Sequence, residues 1–239
     1  GWTGKNCIEI KGGQDVRQDS WKAVAFVIME RKIQKSSRPQ LMFSILARTF
    51  GPAMIVSMAG FIFVAALYFN RTSSLSPTDD SLIGIRPAEV FWRTGVLSFN
   101  VGEKVEANSS LLYTLLAVIG FVFFDRAGVV IYYLPLINTL FALGTVLILR
   151  KLCLEYGVGK IPASLAAIFL AFVPVTAFWA ASGMETSLNT MLEMSFVLTV
   201  FMAGKCESPP KKILTALSTL VLLLVMTRPD GFLLPLCVT

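Results

Sequence analysis

Two aspartates stand side by side in "SLSPTDDSLIG", Asp79 and Asp80, a few residues after a long apolar run. Adjacent carboxylates repel, and a carboxyl beside a second one can have its pKa raised toward the range of a general base that takes a proton from a hydroxyl. Taken by itself the stretch is also good turn and N-cap chemistry, because Ser, Thr and Asp favour both. Other polar groups share the setting. Glu185 lies between two apolar segments in "ASGMETSLN". Arg228 and Asp230 interrupt an apolar run that resumes at once with "FLLPL", and Glu103 sits in "NVGEKVE". Ionisable groups at membrane depth are costly and usually line a cavity or a pathway. An arginine among carboxylates can hold a phosphate. The set therefore suits a lipid-phosphate donor and a hydroxylated acceptor. Glu89, Glu106 and Asp125 are expected to be solvated loop acids, and "RPDG" taken alone is turn chemistry.

Composition narrows the alternatives. There is no histidine, which excludes a Ser-His-Asp triad, a Cys-His pair and any His-ligated metal within this chain. The four cysteines lack CxxC spacing and give no metal signal. Carboxylates, Arg, Lys and hydroxyls remain.

These groups must be positioned by membrane helices. The 239 residues are 55% hydrophobic and only 15% charged, with a mean hydropathy of +0.69. A soluble domain carries about a quarter charged residues, so the chain reads as an all-α integral membrane protein. The net charge of +6 does not imply a nucleic-acid partner, because the basic residues cluster in short loops beside apolar runs, as the positive-inside rule expects. A helix needs about 20 apolar residues to span. Spans are predicted over residues 51–69, 129–149, 161–180, 190–203 and 213–226. The 14-residue run Leu111–Phe124 is predicted as an interfacial helix, which leaves all three basic segments on the cytoplasmic side. Residues 1–50 read as a basic cytoplasmic segment with no secretory signal. The outer side then receives a long loop, residues 70–128, together with the turn at Glu185 and "RPDG". Within the loop, Pro87 suits a first helical turn and Gly95 a C-terminal cap, and the helix between them is expected to lie on the membrane. The protein is expected to be multi-pass in a plasma or inner membrane, in contact with membrane lipids, with its N-terminus cytoplasmic. The chain opens on Gly and stops inside an apolar run, so a fragment truncated at its C-terminus is expected.

The stretch "DDSLIGIRPAEVFWRTGVLSFNVGEKVEANSSLLYTLL", followed by "WAASGMETSL" and "TRPDGFLL", resembles the GT-C membrane glycosyltransferases, in particular the mycobacterial terminal arabinofuranosyltransferase type and its bacterial relatives. That family carries Asp-Asp before a helix, then a "V-x-N-x-G-E-x-V-E-G" motif, a "W-x-x-S-G-L-E-T-x-L" motif and "T-R-P-D/E-G", in the same order. The likeness covers about residues 51–239. Departures fall at "RPAEVFW" for the family's "R-Y-A-R", at Ala107 for its Gly, and at "SLLY" for its "P-L-W". The resemblance implies a GT-C-like N-terminal module, a polyprenyl-phosphate-sugar donor, an acceptor hydroxyl on a glycan, lipid or protein at the extracytoplasmic face, and inversion at the sugar carbon. By the family pattern Asp79 is the general base with Asp80 beside it. Glu103 and Glu185 orient acceptor or donor, and Arg228, followed by Asp230, pairs with the phosphate. Members of that family differ in whether they use a divalent cation, and the resemblance leaves the metal open. Two other classes fit a greasy chain with membrane-depth charges. One is a transporter or lipid flippase, which predicts an internal repeat that the sequence does not show. The other is a structural membrane subunit.

Overall fold

The computed structural model describes residue 60 and residues 79–103, 109–206 and 208–237. The predicted span at 51–69, the segment 1–50 and Glu106 lie outside the described residues, Gly60 excepted. Among the described residues every regular element is a helix. In chain order these are α1 (Asp79–Thr94), α2 (Leu111–Phe124), α3 (Ala127–Glu155), α4 (Lys160–Phe172), α5 (Pro174–Ala181), α6 (Thr186–Gly204), α7 (Lys211–Thr227) and the short α8 (Leu233–Leu236).

Helix α3 organises the bundle. At 29 residues it is about 43 Å long, and α1, α2, α4, α5 and α6 all pack on it. It and α6 are long and apolar enough to cross a membrane, as in a helical membrane protein. A third span arises if α4 and α5 count as one. Four spans were predicted over the same stretch, and the difference has two causes. The predicted span 161–180 is broken, with α4 and α5 meeting at 54°. Pro174 opens α5 and pushes Val173 to an extended conformation (φ −66°, ψ 121°), because a proline disfavours helical geometry in the residue before it and supplies no N–H. The Leu170 carbonyl left at the break accepts from Thr176 Oγ1 at 2.9 Å. The predicted span 213–226 is α7, whose 17 residues reach about 25 Å, short of a core of roughly 30 Å. Helix α2, about 21 Å long, is shorter still.

The first outer-loop helix also differs from expectation. It begins at Asp79, so Pro87 falls in its interior rather than in its first turn. An interior proline costs roughly 3 kcal/mol. The helix is held by its tertiary face: Ile85, Ala88 and Val90 are buried, and α1 packs against α2. Part of its apolar surface is thus covered by protein, while Leu82, Ile83 and Trp92 stay exposed. On the exposed face Glu89 bridges Arg86 (2.8 Å) and Arg93 (3.0 Å), so it is paired rather than simply solvated. Gly95 follows with φ 74° and donates to the Phe91 carbonyl, the left-handed cap the sequence predicts. Asp125 is not a free loop acid either. It caps α2 at φ 47° and accepts a hydrogen bond from Trp92 Nε1 at 3.2 Å, which ties α1 to the far end of α2.

The main core joins α1, α2, α3, α6 and α7 through Ile85, Phe121, Leu134, Leu192 and Leu224. A smaller, alanine-rich cluster joins α3, α4 and α5. Small side chains there let the helices approach closely, as membrane bundles require.

Candidate functional site

Three chain segments distant in sequence meet near the N-terminus of α6. The first is the start of α1. The second is the turn Ser182–Glu185 between α5 and α6, and it is built tightly. Ser182 N–H caps Phe178, its hydroxyl donates to the Trp179 carbonyl and accepts from Met184 N–H, and Gly183 takes φ 74°. A residue with a Cβ is disfavoured at that φ. Asn138, fully buried midway along α3, donates from Nδ2 to the Met184 carbonyl at 2.8 Å. The turn is therefore anchored from the core. The third segment is "RPDG". Gly231 N–H donates to the Arg228 carbonyl at 2.9 Å, closing a turn with Pro229 at its second position. The turn folds back on α7 so closely that a Cβ on Gly231 would collide with the Leu224 carbonyl.

Asp80 and Glu185 line one small cavity of about 20 Å³, together with Ser81, Ser110, Tyr113 and Thr114. Beside it, Arg228 Nε lies 3.8 Å from Glu185 Oε1 and 3.7 Å from Asp230 Oδ1. These separations are ion pairs rather than hydrogen bonds. The terminal nitrogens of the guanidinium have no partner among the described residues, so its fork is open to an anion. Four residues of the sequence-derived set thus come together: Asp80, Glu185, Arg228 and Asp230. Glu185 shares the cavity wall with Asp80, on the same side of the bundle. Asp79 opens α1 immediately before Asp80, and its side chain is outside the described set. Glu103 does not join the group. It is exposed, accepts from Asn100 Nδ2 at 2.9 Å, and is not part of the cavity wall. Among the described residues no three acidic or cysteine side chains gather as a metal-ligand set.

Three further polar residues at this level were not anticipated. Tyr113 is 5% exposed and, among the described residues, its hydroxyl has no partner in hydrogen-bond geometry, although the Asn138 side chain lies close enough to interact with it. Burial pushes its phenol well above the ordinary range; the neighbouring Asn138 side chain pulls the other way, and the Glu185 carboxylate adds a smaller upward push. The hydroxyl is therefore a proton donor at any ordinary pH. Asn138 Oδ1 is likewise buried and unpartnered. Glu193, inside the membrane-length helix α6, accepts from Asn189 Nδ2 at 2.7 Å. Its sequence signal was available: Glu185, Asn189 and Glu193 recur at i, i+4 and i+8, one face of a helix. Tyr113 and Asn138 carried no such signal, because each stands in an apolar run with only a threonine beside it.

Comparison of the chain with protein-family models, curated proteins and solved structures finds no match. The geometry and the residue chemistry carry the functional reading.

Proposed function

We propose that this chain is a membrane glycosyltransferase of GT-C type, with a multi-span helical architecture, which moves a sugar from a polyprenyl-phosphate donor to an acceptor hydroxyl at the extracytoplasmic membrane face, with inversion. The supporting observation is the meeting of Asp80 and Glu185 on one cavity with the Arg228 guanidinium beside them. In this reading the carboxylate of Asp80, or of Asp79 before it, takes the proton of the acceptor hydroxyl. The oxygen attacks the anomeric carbon from the face opposite the phosphate, the bond from that carbon to the phosphate oxygen breaks, and prenyl phosphate leaves with one more negative charge. Arg228 is placed to pair with that charge, and Glu185 and Asp230 hold the guanidinium in position.

The transporter reading has less support. The break between α4 and α5 is a feature such proteins share, and a cavity of about 220 Å³ lies beside it. Its wall is Ala142, Leu170, Val175, Trp179 and hydroxyl side chains, with no charged residue. The backbone carbonyl at the break is already taken by Thr176.

The test is a transfer assay with the full-length protein and short-chain prenyl-phosphate sugars. Asp80→Asn and Arg228→Met should each abolish most product. Unchanged turnover in both Asp79→Asn and Asp80→Asn would sink the reading, and substrate flux into proteoliposomes without covalent transfer would favour a transporter.

A further inference from the structure

We infer that the small cavity is a subsite for one hydroxyl group and that Tyr113 is the residue that positions it. The inference rests on the glycosyltransferase reading and gives its substrate a specific contact. Volume sets the first limit. About 20 Å³ admits a single oxygen-sized group, since one water needs roughly 10–15 Å³. Polarity sets the second. The wall offers acceptors at Asp80 and Glu185 and includes Tyr113, whose buried hydroxyl, beside the Asn138 side chain, has no partner in hydrogen-bond geometry among the described residues. A buried donor left unmatched is costly unless a ligand meets it. An anion would face two carboxylates. A cation would satisfy the carboxylates yet leave the phenol's proton without an acceptor. A hydroxyl does both jobs: it donates to a carboxylate and accepts from Tyr113. Sites built this way discriminate strongly against analogues that lack the hydroxyl, because the buried polar groups are then left unmatched.

The hydroxyl could belong to the transferred sugar or to the acceptor, and one experiment separates the two. Steady-state kcat and KM are measured for the full-length protein and for Tyr113→Phe, with short-chain prenyl-phosphate sugars, octyl glycoside acceptors, and the monodeoxy analogues of each. With the unmodified protein, one monodeoxy analogue should lose about tenfold in kcat/KM, the worth of one hydrogen bond. Tyr113→Phe should lose about the same with the parent substrates and nothing further with that analogue. A sensitive position in the donor series assigns the subsite to the transferred sugar, and one in the acceptor series to the acceptor. Tyr113→Phe should also melt at the same temperature or higher, since it removes an unpartnered buried group. A lower melting temperature with an equal activity loss on every analogue would make Tyr113 a structural residue and overturn the inference. So would unchanged kinetics with an ordered water as the phenol's sole partner. If the unmodified protein transfers no sugar at all, the glycosyltransferase reading itself fails, and this subsite falls with it. That outcome is distinct from normal transfer that ignores Tyr113.

Discussion

The two ends of α6 solve the problem of placing charge beside a membrane in different ways. At its C-terminal end Lys205 Nζ donates to the Glu155 carbonyl at 2.6 Å and to its carboxylate at 3.0 Å, and sits 4.8 Å above the Phe201 ring. Tyr156 stacks on the same ring. A cation there also complements the C-terminal dipoles of α3 and α6. Nearby, Arg150 donates to Ser164 and so joins α3 to α4. At the N-terminal end the ion pairs are long, at 3.7 and 3.8 Å, and the guanidinium fork is open. Three polar atoms, on Tyr113, Asn138 and Asn189, are buried without partners in hydrogen-bond geometry among the described residues. The first end spends its polar groups on itself and joins helices. The second holds polar groups unmatched inside a rigid frame, the arrangement expected where a ligand completes the bonding.

The sharpest way to break this contrast is at the cavity. Glu185→Gln or Asp80→Asn should lower sugar transfer by about 10²-fold or more with little change in melting temperature. A large stability loss instead would make the acidic group structural. Next, Gly231→Ala drives a Cβ into the Leu224 carbonyl. It should cost about 1–3 kcal/mol in chemical denaturation and displace Arg228, so that binding of the phosphate donor weakens. Asn138→Ala removes the donor that anchors the Met184 carbonyl. It should cost a similar or smaller amount, about 1–2 kcal/mol, and raise KM by loosening the turn that carries Glu185. The smallest effect belongs to the other end. Lys205→Met should change stability by about 0.5 kcal/mol or less and leave transfer untouched. A tenfold activity loss there would erase the distinction between the two ends.

Much of this was legible in the sequence, for identifiable reasons. Apolar runs announce membrane helices, so the predicted spans 129–149 and 190–203 fall inside α3 and α6. The charge-bearing turns "SGMET" and "RPDG" interrupt such runs, which marked Glu185, Arg228 and Asp230. Helix α1 was misjudged because Pro87 reads as a helix start, while the buried face that tolerates it involves α2, some twenty-five residues further on. The span 161–180 was read as continuous because hydropathy is blind to backbone direction. Pro174 changes that direction without changing polarity. Glu103 carries a motif residue's position yet pairs with its neighbour Asn100, and no pattern of spacing separates those two outcomes.

What the sequence determined by itself is local. Composition and run length make the chain a helical membrane protein, and Gly and Pro fix its turns at Gly95, Gly183 and Arg228–Gly231. What only the tertiary structure decided is proximity. Asp80, Glu185 and Arg228 lie on separate helix ends, and they meet because α1, α6 and α7 pack in one core around Leu192 and Leu224. Tyr113 became a candidate ligand contact only when that core closed over it. A hydroxyl in an extended chain is hydrated, and the same hydroxyl in a packed bundle must find a partner or bear the cost of lacking one.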